Sequence, residues 1–193
     1  PNTAATATLS ANINSTSTDL VACDTSWVFG YTVATPAMQI RALSISGTTV
    51  TIGTASALSG TSGTYVAVYA MSATVVIAIS GTNSASIFCR PFTVSGSTLT
   101  GGTETSFAQT SVTSAFACRL FDSNRIGIVY LNTSVRGAVI TLSGTTATSS
   151  TVVLLAAVDV VTGLTIHKIG NQLIVWGDND TINGINVLTD NSG

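Results

Sequence analysis

The chain has 193 residues, of which 45% are hydrophobic and only 7% are charged, and its formal net charge is −2. Its six Lys and Arg residues are too few for the broad basic surface that nucleic acid or anionic lipid requires, so we expect neither partner. The longest apolar stretch, residues 152–166, is interrupted by Asp159, Thr162 and Gly163 and is too short for a membrane-spanning helix. We therefore expect no membrane insertion.

A short sequence motif recurs along the chain every 48 or 49 residues. It consists of a β-branched run, a Ser-Gly step and, in three copies, a second Thr-rich run; its glycines are Gly47, Gly96, Gly144 and Gly193. This pattern predicts hairpins, because glycine supplies the positive φ that tight turns need. One such repeat cannot bury its apolar faces alone, so the pattern predicts a single domain over residues 1–193. The predicted repeats are residues 19–64, 65–114, 115–162 and 163–193 plus 1–10.

Each repeat divides into four short predicted strands. The first strands are predicted at residues 20–23, 68–71, 118–121 and 166–169, each followed by a polar turn. The second strands are the most apolar, and they are predicted at residues 27–31, 75–79, 126–130 and 173–176. Their apolar residues form continuous runs, which indicates strands that are buried on both faces.

The third strand leads into the Ser-Gly hairpin, and the fourth strand follows it. Fourth strands are predicted at residues 49–52, 98–103 and 147–155. The last copy stops at its Ser-Gly step, and we expect the Thr-rich residues 4–9 to supply its fourth strand. The predicted fold is all-β: a four-repeat β-propeller with four antiparallel strands per blade, closed by the N-terminal strand pairing with the C-terminal blade. An open solenoid or part of a larger ring are the alternatives.

Residues with catalytic or metal-binding chemistry are few and scattered. His167 is the one histidine, and Cys23, Cys89 and Cys118 lack the spacing of a metal site. Residues 178–184 are oxygen-rich like a calcium loop, but Ile182 stands where the EF-hand spacing needs a ligand, which favours a solvated turn. We predict no enzyme activity, no catalytic residue, no cofactor and no metal site.

Binding is expected on the turns between second and third strands, because loops on a rigid scaffold commonly carry recognition. These turns are residues 32–37, 81–85, 132–135 and 177–184. The candidate binding residues at or beside them are Tyr31, Tyr130, Arg136, Trp176, Asp178, Asp180 and Asn183. An aromatic ring beside polar groups can stack on a sugar, whereas a ring at the end of a buried strand can also belong to the core.

The Ser/Thr/Gly/Ala-rich, Lys-poor repeats, such as residues 46–51 and 143–148, resemble segments of tailed-bacteriophage virion proteins. Tail-fibre, tail-tip and head-decoration modules often have repeats of this composition. The resemblance implies a non-enzymatic structural or receptor-binding part of a virus particle, located in the virion or outside the cell. Its partners would be other virion proteins or further copies of itself, together with a cell-surface glycan. A secreted carbohydrate-binding lectin is the alternative.

Overall fold

The computed structural model describes residues 13–33, 38–58, 63–82, 86–108, 116–156, 163–170, 172–178 and 184–189. These residues form eighteen β-strands, and the pairings between the strands are antiparallel. The described ranges contain no helix, and therefore no helix that is long and apolar enough to cross a membrane. The prediction of an all-β, antiparallel fold is confirmed.

The strands form four consecutive sheets, one for each sequence repeat. Sheet 1 contains β1 (Ile13–Cys23), β2 (Ser26–Val33), β3 (Met38–Ser46), β4 (Thr49–Ile52) and β5 (Ser56–Ala57). Sheet 2 contains β6 (Gly63–Ala70), β7 (Val75–Thr82), β8 (Ser86–Ser95), β9 (Thr98–Gly101) and β10 (Thr105–Ala108). Sheet 3 contains β11 (Phe116–Leu120), β12 (Arg125–Leu131), β13 (Val135–Ser143), β14 (Thr146–Ser149) and β15 (Val153–Ala156). Sheet 4 contains β16 (Gly163–Ile169), β17 (Gln172–Asp178) and β18 (Gly184–Thr189).

In each of the first three sheets the fourth position is shared by two short strands. β4 and β5 both pair with β3, β9 and β10 both pair with β8, and β14 and β15 both pair with β13. The predicted single strand at residues 147–155 is therefore wrong in this detail. Ser150 interrupts it: its N–H donates to the Val139 carbonyl at 2.8 Å, and its hydroxyl accepts from the Val139 N–H at 2.9 Å. The predicted closing strand at residues 4–9 lies outside the described residues.

The Ser-Gly hairpins have the predicted tight turns. In each, the serine pairs with the residue three positions later, which leaves a two-residue loop that begins with glycine. Gly47, Gly96 and Gly144 have φ values of 57°, 57° and 58°. A positive φ confined to the first loop position is the geometry of a type II′ turn, which favours glycine there and matches the twist of the flanking strands.

The sheets stack face to face in chain order. Separate apolar clusters join sheet 1 to sheet 2, sheet 2 to sheet 3 and sheet 3 to sheet 4. Sheets 2 and 3 thus have a neighbour on both faces, and the consecutive residues Val76, Ile77, Ala78 and Ile79 of β7 are all fully buried. The predicted burial of this second strand on both faces is confirmed. The described contacts establish a stack of four antiparallel sheets, and its closure into a ring stays a prediction.

Backbone approaches between neighbouring sheets repeat with the sequence period. The Ser-Gly hairpin of sheet 2 lies on Gly53 of sheet 1, where an added Cβ would be 1.7 Å from the Ser97 carbonyl oxygen. The hairpin of sheet 3 lies on Gly102 of sheet 2, where an added Cβ would be 2.2 Å from the Thr145 oxygen. Any side chain would separate the sheets at these positions, so the hairpin that caps one sheet also docks it on the sheet before.

The first strands of neighbouring sheets are joined by polar contacts. The Val68 N–H donates to the Asp19 carboxylate at 2.7 Å, and the Cys23 thiol donates to the Ala73 carbonyl at 3.0 Å. The Tyr69 hydroxyl donates to the Cys118 carbonyl at 2.5 Å. These contacts hold the ends of the first strands in a fixed arrangement across sheets 1, 2 and 3.

Candidate functional site

A cleft of about 510 Å³ opens where the first strands of sheets 2, 3 and 4 end, and we call it the Phe121 cleft. Its lining residues are Tyr69, Ala70, Arg119, Leu120, Phe121, Asp122, Ser123 and Lys168. They come from the ends of β6, β11 and β16 and from the turn between β11 and β12. Ligand pockets commonly have volumes of ~300–1,000 Å³, so the cleft is large enough for a small organic molecule.

Cationic side chains concentrate at this cleft. Arg119 and Lys168 line it and Arg125 borders it, and these are three of only six Lys and Arg residues in the chain. The Arg125 guanidinium carbon lies 4.7 Å from the centre of the Phe121 ring, and the Lys168 ammonium lies 5.9 Å from it. A cation over an aromatic face is attracted by the ring quadrupole, so the buried Phe121 ring helps to position both charges.

One of these cations is neutralised within the site. Arg125 donates from Nε to the Asp122 carboxylate at 2.6 Å, with a second contact of 2.5 Å from the guanidinium. Burial alone would raise the pKa of Asp122, but hydrogen bonds from Arg125 and from the Asn124 N–H hold that pKa below its ordinary value. Asp122 is therefore ionised at neutral pH and offsets the charge of Arg125.

The remaining charge of the lining is positive. Arg119 and Lys168 are exposed at the cleft, and Asp122 is the single acid among the lining residues. A guanidinium offers a planar set of donors and an ammonium offers a compact charge, and both bind carboxylate and phosphate oxygens. This arrangement can attract and orient an anionic group.

Tyr69 forms a rigid wall of the cleft. Burial raises the pKa of its hydroxyl, and Cys118 and Asp19 raise it further, so the hydroxyl remains protonated. The proton is donated to the Cys118 carbonyl, which ties sheet 2 to sheet 3 beside the opening. Tyr69 thus supplies shape to the cleft and fixes the distance between two of the strands that form it.

Two of the predicted binding residues are buried. The Tyr31 hydroxyl donates to Gln39 at 2.7 Å and accepts from Arg41 at 2.8 Å. Because the ring is fully buried, it agrees with the alternative that this aromatic residue belongs to the core. Tyr130 is also fully buried and lies opposite Arg136 in the β12–β13 register. The Tyr130 hydroxyl and the Arg136 Nε have no hydrogen-bond partner among the described residues. Burial raises the pKa of Tyr130 to about 12, although Arg136 acts in the opposite direction.

The other predicted binding residues belong to sheet 4 and the turn after β17. Trp176 is partly exposed on the face of sheet 4 that points away from sheet 3. Asp178 is the last residue of β17 and pairs with Gly163, whereas Asp180 and Asn183 lie outside the described residues. Of the four predicted turns, the structure describes residues 132–135 completely. The structure brings Tyr130 and Arg136 together, and the binding role of the whole set stays a prediction.

The Phe121 cleft was not predicted from the sequence. The predicted binding turns lie between second and third strands, whereas the cleft lies at the opposite ends of those sheets, beside the turns that follow the first strands. A signal for it was present, because Arg119 and Lys168 stand equally far before Gly144 and Gly193. In the part of the chain that the structure describes, no three His, Cys, Asp or Glu side chains come together as a metal site.

A scan against protein-family models and a search of curated proteins each found no match to this chain.

Proposed function

We propose that this chain is a non-enzymatic structural and adhesion module of a virus particle, built as a four-bladed β-propeller. In this proposal the N-terminal strand, residues 4–9, completes sheet 4, and sheet 4 packs against sheet 1. The Ser/Thr-rich composition of the repeats and the low charge of the chain support the proposed role in a virus particle. The observation that carries the ring is the apolar character of the two end faces of the stack.

The first end face belongs to sheet 1 and points away from sheet 2. Leu20, Trp27 and Ile45 are 56%, 39% and 49% exposed on it. The strand register places them on the face opposite Val28, which is buried against sheet 2. Exposed apolar side chains gathered on one face are costly in water and indicate a surface that another surface covers.

The second end face belongs to sheet 4 and points away from sheet 3. Ile169 and Trp176 are 61% and 41% exposed on it, whereas Ile166 and Val175 of the opposite face pack against sheet 3. A stack of four sheets with apolar faces at both ends is suited to closure, because one contact between the ends buries both surfaces. Closure also gives sheets 1 and 4 a neighbouring sheet on each face, as sheets 2 and 3 already have.

The two tryptophans of the chain, Trp27 and Trp176, report directly on this closure because each lies on one of the end faces. In a closed ring both indoles are buried, so we expect blue-shifted fluorescence and weak quenching by acrylamide. The variants Trp27→Phe and Trp176→Phe assign the signal to each face. Strong quenching of both indoles would contradict closure.

Association between molecules would also bury the end faces, and sedimentation distinguishes it from closure. Two faces that meet within one chain leave a monomer whose quenching does not depend on concentration. End-to-end contacts between chains instead produce species that grow with concentration. Weak quenching that appears only in such species would overturn the ring and favour an open filament.

The particle role has its own test. Antibodies against the chain should label virus particles, and the chain should co-sediment with intact particles and remain bound after washing. A chain found only free in solution would contradict the proposal.

The Phe121 cleft favours a secreted carbohydrate-binding lectin as the second candidate, because it combines polar and aromatic side chains in a volume that suits a sugar. A glycan array with the isolated chain, read beside the particle labelling, separates the two. Binding to free glycans without particle labelling supports the lectin.

A further inference from the structure

We propose that the Phe121 cleft is a binding site for a sugar unit that carries an oxyanion, a carboxylate or a phosphate. This inference rests on the adhesion role proposed above, and it names the chemistry that the adhesion surface would recognise. It also moves recognition from the turns between second and third strands to the opposite ends of the sheets.

The charge of the cleft selects an anion. Arg125 is offset by Asp122, while Arg119 and Lys168 present two positive charges to the same opening. The chain as a whole has a net charge of −2, so this positive site is a local exception in an otherwise weakly acidic molecule. A neutral ligand gains little from these charges, whereas an oxyanion gains charge-assisted hydrogen bonds from both.

The turn that forms one side of the cleft is held in place before a ligand arrives. The turn that carries Asp122 is closed by a hydrogen bond of 2.8 Å from the Phe121 N–H to the Arg125 carbonyl. A hydrogen bond of 2.7 Å from the Leu142 N–H to the Asn124 carbonyl ties the same turn to β13. A site with this rigidity loses less conformational entropy when it binds, which favours affinity for a small ligand.

The dimensions of the cleft limit the size of the occupant. Its volume of about 510 Å³ admits a sugar unit, whereas a nucleic acid or a folded partner would need a much larger surface. The Ser123 hydroxyl in the lining offers a donor and an acceptor for sugar hydroxyls, while Arg119 and Lys168 bind the anionic group.

Three ligands with the same ring isolate the oxyanion from the rest of the sugar. The complete chain is titrated with glucuronate, glucose 6-phosphate and glucose, and binding is followed by calorimetry and by NMR chemical shifts. We expect the two anionic sugars to bind at low salt, with affinity falling as the salt concentration rises, and glucose not to bind. Inorganic phosphate serves as the anion without a sugar.

Variants assign the binding to the cleft. Arg119→Gln and Lys168→Gln should each weaken binding of the anionic sugars about three- to tenfold, and Arg119→Lys should retain most of it. Thr48→Glu is the control for net charge, because it makes the chain more negative by one unit on an exposed hairpin of sheet 1, which contributes no residue to the cleft lining. This control should bind like the unaltered chain.

Several results would overturn the inference. If glucose binds as tightly as glucuronate, the oxyanion does not contribute to recognition. If inorganic phosphate binds as tightly as the anionic sugars, the cleft recognises the anion alone and not the sugar. Absence of binding by the unaltered, folded chain would also overturn it, and that result does not depend on how the variants fold. Labelling of virus particles is measured separately from sugar binding. A cleft that binds no anionic sugar is therefore distinguishable from a chain that is not part of a virus particle.

Discussion

The Tyr31 hydroxyl accepts a hydrogen bond of 2.8 Å from Nε of Arg41, so the two side chains join β2 to β3 inside sheet 1. Arg41 also donates to the Gly53 carbonyl at 3.0 Å, where the chain passes from β4 to β5. Arg90 repeats this contact in sheet 2, where its Nε donates to the Gly102 carbonyl at 3.1 Å. Each arginine thus fixes the break in the outer strand of its sheet, at the glycine on which the next sheet docks.

The two buried tyrosines allow a matched test of this network. Tyr31→Phe removes a hydroxyl that serves Arg41 and Gln39, and leaving their polar groups unpaired should cost about 1–3 kcal/mol of unfolding free energy. Tyr130→Phe removes a buried hydroxyl without a described partner, so it should be neutral or stabilising. Urea denaturation of both variants measures the difference.

The pair is informative because both substitutions remove the same atom from a fully buried ring. Equal losses of stability in the two variants would show that the Arg41 network contributes nothing beyond packing. A large loss in Tyr130→Phe alone would reveal a partner for that hydroxyl, such as an ordered water that also meets the Arg136 Nε.

Local features of the fold could be read from the sequence because they depend on residues that are close along the chain. The Ser-Gly steps predicted hairpins with glycine at a positive φ, and the apolar run of residues 75–79 predicted a strand buried on both faces. The break at Ser150 escaped prediction because it depends on the backbone of Val139, eleven residues away. The Phe121 cleft escaped for the same reason, since its lining comes from three sheets that only stacking brings together.

The close approach at Gly53 predicts a strong and local sensitivity to side-chain size. Gly53→Ala would place a Cβ against the Ser97 carbonyl, and the required shift should cost about 1–3 kcal/mol. Gly102→Ala should behave in the same way, because the Thr145 carbonyl occupies the equivalent place. Thermal unfolding is the measurement, and Thr54→Ala at the adjacent exposed position is the control. If Gly53→Ala unfolds like the control, the docking of hairpins on the preceding sheet is wrong.

The thiols of Cys89 and Cys118 should be protected from alkylation in the folded chain. Burial, followed by Glu104, raises the pKa of Cys89 to about 12, and burial also raises the pKa of Cys118 well above its ordinary value. The thiolate is the reactive form, so at about pH 8 iodoacetamide should label neither residue unless the chain unfolds. Mass spectrometry with and without urea measures this, and rapid labelling of Cys89 in the native chain would show that sheets 2 and 3 separate readily.

The ion pair between Asp122 and Arg125 should make stability depend on pH in a defined direction. Because the folded chain holds the pKa of Asp122 below its ordinary value of 3.8, the carboxylate stabilises the fold above that pH and loses its effect as the pH falls through the lower, folded value. Asp122→Asn should therefore reduce stability at neutral pH, by less than about 1 kcal/mol because the pair is partly solvated, and this difference should vanish in acid. In an Arg125→Gln background the same substitution should have little effect at any pH. Urea denaturation across this pH range is the measurement, and a loss that stays constant into acid would assign the effect of Asp122 to the turn geometry instead of its charge.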